Sequence, residues 1–260
     1  MKIAVIFGGQ IRTGVETSKS IFNFLGEYLP YCDFFVHTWD ITSYKNGDYQ
    51  NSHSPDFNWD AIKLKEEYLN EFLEIYKPLK YKMTPFLKYR EEMENIPSQL
   101  PPLPPMPAWT YSFWKSNELK KEYENENNFK YDYVIKLRTD LIFWPEMILK
   151  PILEFIINSQ LKKLPIYHLE DMLYLSTSEG MDIMSSIGHP TNGILLEDFR
   201  QNYSNDLNRR IVKFAHDTFD NIPKISFGAN SGYFLLRPEA KDFSYEEMDK
   251  MYYIFKHYYD

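Results

Sequence analysis

The 260-residue chain contains a single cysteine, Cys32. One thiol excludes an internal disulfide framework and a cysteine-built zinc cluster. A basic excess is also missing: 29 Lys plus Arg stand against 37 acids, a formal net charge of −8. Nucleic-acid binders carry a basic stripe; none is found, so no nucleic-acid partner is expected. No apolar run approaches the length of a membrane span. The first apolar stretch, Ile3 to Phe7, is too short for the core of a secretory signal and lacks a cleavage site. A soluble protein of a reducing, cytoplasmic compartment is the expectation. Familiar catalytic signatures are absent too. The chain has no Gly-Lys-Ser/Thr phosphate loop and no Gly-x-Gly-x-x-Gly dinucleotide fingerprint. No Gly-x-Ser-x-Gly elbow marks a serine hydrolase. His168, His189 and His216 show no zinc-protease spacing. There is no internal repeat.

What is present reads as α/β. Hydrophobic residues make up 43% of the chain, enough for a sizeable core. Lys2 to Phe7 is a continuous apolar run ending at Gly8-Gly9, the form of a buried parallel strand and a tight turn. Thr17 to Leu29 has a broad apolar helical face, and Asp33 to His37 is a second strand running into Thr38-Trp39-Asp40. Strand, helix and strand within 40 residues form a βαβ unit. Residues 41–58 are polar and predict a long loop, a candidate lid. Asp60 to Tyr76 predicts a helix. Pro97 to Pro107 holds six prolines and predicts an extended surface crossover rather than a domain linker. Trp109 to Asn127 predicts a helix whose stripe of Trp109, Ser112, Phe113, Ser116, Leu119, Lys120 and Tyr123 mixes aromatic, small and charged groups. That mixture fits a helix lining a cleft at one end, or a half-exposed amphipathic helix. Tyr131 to Phe143 contains a buried strand. Helices are expected at Leu149–Leu161 and Glu179–Ile187, strands at Pro165–Leu169 and Met172–Leu175, and at least one more helix within Leu195–Ala215. Strand segments are expected within Lys224–Leu236, and Ser244-Tyr-Glu-Glu247 matches a capping box opening a last helix. A single domain spanning 1–260 is expected, with halves at about 1–145 and 146–260. The last helix could pack on the core or on a second copy, so a homo-oligomer is possible.

Chemistry concentrates at strand ends, where open α/β sheets bind ligands. Arg138 and Asp140 end the Tyr131 strand with only Thr139 between them. An acid there can hold Mn²⁺ or Mg²⁺, which take oxygen ligands and often only one or two carboxylates. The arginine can meet a phosphate. Alternatively the two form a surface ion pair. Glu170-Asp171 is the second acidic strand end, suited to a metal, to an acceptor hydroxyl or, more plainly, to a helix N-terminus. Gly8-Gly9-Gln10-Ile11-Arg12 follows the first strand: glycines admit a ligand close to the backbone, and Arg12 can fork onto a phosphate. His37-Thr38-Trp39-Asp40 offers a His/Asp pair whose commoner role is a hydrogen-bonded corner.

Taken in order, Ile6-Phe-Gly-Gly-Gln-Ile-Arg12, Phe34-Phe-Val-His-Thr-Trp-Asp40, Tyr111-Ser-Phe-Trp-Lys-Ser-Asn-Glu-Leu-Lys120, Tyr131-Asp-Tyr-Val-Ile-Lys-Leu-Arg-Thr-Asp140 and Leu169-Glu-Asp-Met-Leu-Tyr174 carry a resemblance. The chain resembles small GT-A-type glycosyltransferases of large DNA viruses and of bacterial or phage polysaccharide gene clusters, over nearly its whole length. The resemblance implies a GT-A-like, Rossmann-like domain with a mixed, mostly parallel sheet, its donor side in the first half and its acceptor side in the second. It implies that Gly8, Gly9, Gln10 and Arg12 hold the nucleotide, with His37, Thr38 and Trp39 beside it. Asp140 becomes the counterpart of a metal-binding Asp-x-Asp acid, with Arg138 in place of the first acid. Lys115 and Lys120 become diphosphate contacts, and Asp171 a second active-site acid near the acceptor. The implied reaction moves a sugar from a nucleotide diphosphate sugar, UDP-sugar favoured, to a hydroxyl of a glycan acceptor. A sugar-nucleotide nucleotidyltransferase and a non-catalytic glycan-binding protein are the alternatives.

Overall fold

In the computed structural model the described residues are 1–44, 61–94, 108–169, 172–189, 214–215, 217–221 and 233–235. Strand β1 (Ile3–Gly8) lies in the interior of a seven-stranded sheet. Its residues alternate between two cores: Ile3, Val5 and Phe7 face one, Ala4 and Ile6 the other. A strand buried on both faces must be apolar throughout, which is what the run Ile-Ala-Val-Ile-Phe supplies. Helix α1 (Ser18–Leu25) crosses to β2 (Cys32–Trp39), parallel to β1. The chain between them closes as a 3-10 turn, Gly26–Tyr31.

After β2 the chain forms a short antiparallel pair, β3 (Ile41–Tyr44) with β4 (Ala61–Lys63). This corrects the expectation of loop from 41: the pairing partner lies about twenty residues on, beyond any local pattern. The remainder of the anticipated lid lies outside the described residues, as does the proline-rich crossover. Helix α2 (Glu66–Tyr76) starts later than its apolar spacing suggests. Glu66 and Glu67 occupy its first turn, where the helix dipole favours acids, and Lys77 ends it in the left-handed conformation.

Strand β5 (Lys80–Thr84) then joins β2 in parallel at the sheet edge. Its Lys-Tyr-Lys-Met-Thr sequence does not read as a buried strand, and its exposure explains why. Helix α3 (Phe86–Glu94) follows, then the long α4 (Ala108–Glu126). The α4 stripe faces the sheet: Ser112, Phe113, Ser116, Leu119 and Lys120 are buried, with Trp109 and Tyr123 packed beside them.

Strand β6 (Tyr133–Leu137) takes the free side of β1, in parallel. A short β7 (Leu141–Phe143) pairs separately with β11 (Tyr233–Leu235). Helix α5 (Leu149–Asn158) leads to the hairpin of β8 (Pro165–Leu169) and β9 (Leu173–Ser176), and α6 (Ser178–Ser185) follows. The two-residue β10 (Asp220–Asn221) closes the edge. The order is β10-β8-β9-β6-β1-β2-β5, and β9 alone of these seven runs against its neighbours. Helices α1, α2 and α5 cover one face, α4 and α6 the other. The result is a three-layer α/β molecule with a mostly parallel sheet, as expected. Strands from residues before and after 145 share that one sheet.

Helices expected within 195–215 and from 244 lie outside the described residues, apart from two short helical stretches at 214–215 and 217–218. Among the described residues no helix is long and apolar enough to cross a membrane.

Helix α4 lies unusually close to β1. A Cβ on Gly8 would stand 2.8 Å from the backbone N of Phe113 and the backbone C and O of Ser112. Backbone cannot swing aside as a flexible side chain can. Gly8→Ala is expected to lower stability by about 1–3 kcal/mol, the usual cost of overpacking. Urea denaturation checks it; an unchanged midpoint would mean that α4 moves away freely.

Candidate functional site

The chain leaves β1 through α1 towards β2, whereas β6 sits on the opposite side of β1. Strand order therefore reverses between β1 and β6. The crevice at the carboxyl ends of two such strands is where open α/β sheets receive ligands. The register Ile3↔Tyr133 to Phe7↔Leu137 brings the Gly8–Arg12 turn and the Arg138–Asp140 turn to that same end.

The first turn is built from backbone freedom and hydroxyl ties. Gly9 has φ +128, a conformation open to glycine and strained for any side chain. Its N–H donates to the His37 carbonyl at 3.1 Å. The one hydroxyl proton of Thr139 is shared between the carbonyls of Ile11 (2.8 Å) and Gln10 (3.0 Å). Thr17 Oγ1 in turn donates to the Thr139 carbonyl at 2.5 Å. These bonds stitch the two turns together across more than 120 residues of sequence. Arg12 takes φ 51, the left-handed region that a non-glycine residue enters only when its surroundings over-determine it.

What fixes Arg12 is a three-residue charge cluster. Its Nη1 donates to Asp140 Oδ2 at 2.7 Å, and its Nε donates to Gln10 Oε1 at 3.1 Å. Arg138 adds a fork from the neighbouring strand end: Nε to Asp140 Oδ1 at 2.9 Å and Nη2 to Oδ2 at 2.8 Å. Two-pronged pairing of this kind is the strong form of an ion pair. Burial by itself raises the Asp140 pKa; the Arg138 guanidinium, through charge and hydrogen bonds, and then Arg12, outweigh it and hold the carboxyl well below its ordinary range. Asp140 is therefore an anion at any physiological pH. Its side chain is only 1% exposed, while the arginines keep 13% and 19%. The two arginine side chains thus keep more surface than the carboxylate they hold.

That geometry bears on the expected metal. Both oxygens of Asp140 already accept charge-assisted hydrogen bonds, and two positive charges lie within 3 Å of them. Among the described residues no group of three or more His, Cys, Asp or Glu gathers as metal ligands. The described donor set does not fit Mn²⁺ or Mg²⁺ at Asp140.

The structure brings together Gly8, Gly9, Gln10, Arg12, Arg138 and Asp140. The β8–β9 hairpin reaches the same place: the Arg138 N–H donates to the Met172 carbonyl at 3.2 Å, and Met172 N–H to the Leu169 carbonyl at 2.9 Å. Glu170 and Asp171, between those two residues, lie outside the described residues.

Other anticipated contacts sit elsewhere. His37 is fully buried between the hydroxyls of Ser112 (2.6 Å from Nδ1) and Thr84 (2.9 Å from Nε2). A neutral imidazole donates through one nitrogen and accepts at the other, so both hydroxyls satisfy it. Thr38 is buried, and Trp39 packs among Tyr89, Phe86 and Tyr111 with ring centroids 4.8–5.8 Å away. These three shape the floor of the sheet end rather than its surface. Lys115 is partly buried, its Nζ 4.0 Å from the centre of the Trp114 ring.

Lys120 is wholly buried beneath α6. It donates to Ser178 Oγ (2.6 Å) and Asp182 Oδ1 (2.8 Å) and lies 3.4 Å from Glu124. Its role is to anchor α6 on α4, which corrects the expectation of a phosphate contact: its spacing on the stripe is right, but the stripe faces inward. Two contributors were missed, Thr17 and Thr139. A hydroxyl between two charged residues at the end of an apolar strand was the available signal for Thr139.

No protein-family model matches the chain, and the search of curated proteins returned no match. Solved structures with a similar course exist at low identity. The apo-form glycosyltransferase GlyE of Streptococcus pneumoniae is 11% identical with a TM-score of 0.42; the alignment covers 85% of this chain and 45% of GlyE. A glycosyltransferase involved in glycosylation of the PBCV-1 major capsid is 8% identical, TM-score 0.37, covering 88% and 84%. The galactosyltransferase LgtC, solved with donor and acceptor sugar analogues, is 10% identical, TM-score 0.35, covering 81% and 69%. This chain thus spans less than half the length of GlyE.

Two outcomes follow from these placements. Lys120→Met removes the cation shared by Glu124 and Asp182, while Glu124 keeps Lys130 at 2.8 Å and Asp182 is 25% exposed, so the expected cost is about 1–3 kcal/mol; urea denaturation measures it, and an unchanged midpoint would contradict the anchoring role. His37 is held neutral by burial, then by the charges of Lys115 and Lys82, its pKa lowered from 6.5 to about 3. The unfolded chain takes up that proton near 6.5 and the folded chain does not. The stability from His37 is therefore complete above pH 6.5 and is lost as pH falls towards 3, by about 1.4 kcal/mol per pH unit. Urea midpoints at pH 7 and pH 5 should differ more for the native chain than for His37→Gln.

Proposed function

We propose that the chain is a GT-A-type glycosyltransferase that moves a sugar from a nucleoside diphosphate sugar, UDP-sugar favoured, to a hydroxyl of a glycan. The observation that carries the reading is the Arg12–Asp140–Arg138 cluster at the switch point between β1 and β6. It presents two guanidinium groups where an open α/β sheet receives a ligand. Guanidinium forks match phosphate oxygens in shape and charge.

In this reading the bond between the sugar C1 and the diphosphate oxygen breaks, and the acceptor oxygen bonds to C1. The acceptor proton passes to a base, and the nucleoside diphosphate leaves. The growing charge on the diphosphate is the part of the reaction that fixed donors stabilise best. Arg12 and Arg138 supply them, positioned by Asp140. The sugar centre passes through an oxocarbenium-like state, by analogy with glycoside chemistry. Asp171 is the proposed acid near the acceptor, as base if the reaction inverts. Gly8 and Gly9 let the nucleotide approach the backbone, and Lys115 is a further candidate for phosphate charge.

A panel of nucleotide sugars with glycan acceptors, assayed for released nucleoside diphosphate, tests the reading. Arg138→Met is expected to lower kcat/KM by about 10²–10³, the usual loss of a transition-state charge donor, with the urea midpoint confirming a folded protein. Release of pyrophosphate from a nucleoside triphosphate and a sugar phosphate would identify a nucleotidyltransferase instead. Glycan binding with every donor left intact would identify a non-catalytic module.

A further inference from the structure

The carboxylate that a metal would need is already engaged, and the arginines around it have the better access to a ligand. Resting on the transferase reading, we propose that the donor diphosphate is held by a metal-independent double-guanidinium clamp, in which Asp140 is a positioning residue and not a cation ligand.

Three observations support this. The first is orientation. Asp140 is 1% exposed, whereas Arg12 and Arg138 keep 13% and 19% of their side-chain surface. The arginine side chains are therefore more accessible to a ligand than the carboxylate. The second is charge. Two guanidinium groups flank Asp140 at a place where a lone carboxylate would repel a diphosphate. A cation inserted at Asp140 would have to displace guanidinium bonds of 2.7–2.9 Å and sit beside two like charges. The third is construction. Arg12 is set at φ 51, Gln10 Oε1 fixes its Nε, and Thr139 pins the carbonyls of Gln10 and Ile11. This rigidity settles the geometry of Arg12 before a ligand arrives, as preorganised electrostatic sites require. The Arg138 backbone N–H is held by the Met172 carbonyl and its guanidinium by the fork onto Asp140.

Asp140 thus does for two arginines what a paired acid would do for a metal: it sets their spacing. An Arg-Thr-Asp sequence in place of two acids is then a change of device. The positive charge comes from guanidinium groups, which stay charged at every physiological pH.

The test compares affinities of nucleoside monophosphates and diphosphates (uridine and guanosine series) by calorimetry, in EDTA and in Mn²⁺ or Mg²⁺. The ratio of the two affinities isolates the second phosphate. The clamp predicts a diphosphate preference that changes less than about twofold between EDTA and metal and weakens as salt is raised. Arg138→Lys and Arg12→Lys keep a charge but lose the fork, and each should cut the preference at least about fivefold. Binding of diphosphates seen with metal and lost in EDTA would overturn the clamp and leave the transferase reading standing. Equal binding of mono- and diphosphates would overturn the clamp too. No nucleotide binding under either condition would overturn both. The comparison of the native chain in EDTA and metal needs no variant, so a misfolded substitution cannot obscure it.

Discussion

Five consecutive residues of parallel pairing between β1 and β6 place everything else. The two strands are separated by some 125 residues, yet their register sets the Gly8–Arg12 turn against the Arg138–Asp140 turn. A shift of one residue would turn Val134 and Leu137 to the wrong faces, so burial on both sides enforces the alignment. The charge cluster is thus held by the hydrophobic cores, and its own hydrogen bonds only refine a position the sheet already imposes.

The molecule contains two charge clusters of opposite character. Around Lys120 and Glu124 both charges are sealed between α4 and α6, with Asp182, 25% exposed, at the rim. Such a cluster specifies how two helices meet. Around Asp140 the carboxylate is sealed while its cationic partners reach the crevice. Such a cluster can exchange a protein contact for a ligand contact. The difference lies in which sign of charge is left at the boundary with water.

Much of the frame could be read from the residues. The β1 run, the βαβ unit and the Tyr131 strand announced a parallel sheet, because an unbroken apolar run of five residues suits a strand covered on both faces. Arg12, Arg138 and Asp140 were legible as strand-end charges. Their mutual bonding was not, because it depends on which strands are neighbours. The edge strand β5 was missed because Lys80 and Lys82 belong to exposed edges, where pattern and core part company. Lys120 was misread for the opposite reason. A lysine on a mixed stripe suggests solvent or a ligand, and only the packing of α6 reveals a buried anchor. Thr17 and Thr139 were invisible as site builders, since a threonine shows its role only through its partners.

The same sheet order has a kinetic side. Strand β2 leaves the ribosome shortly after β1 and can pair with it at once, but the other edge of β1 waits for Tyr133–Leu137. At about 5–20 residues per second that interval is on the order of 5–20 s. For that time a strand of Ile, Ala, Val, Ile and Phe has an open edge, the kind that templates pairing with other chains. Synthesis of the whole of α4 and of the segments before it therefore takes place while this wholly apolar strand is half-paired, and only the emergence of β6 closes its second edge.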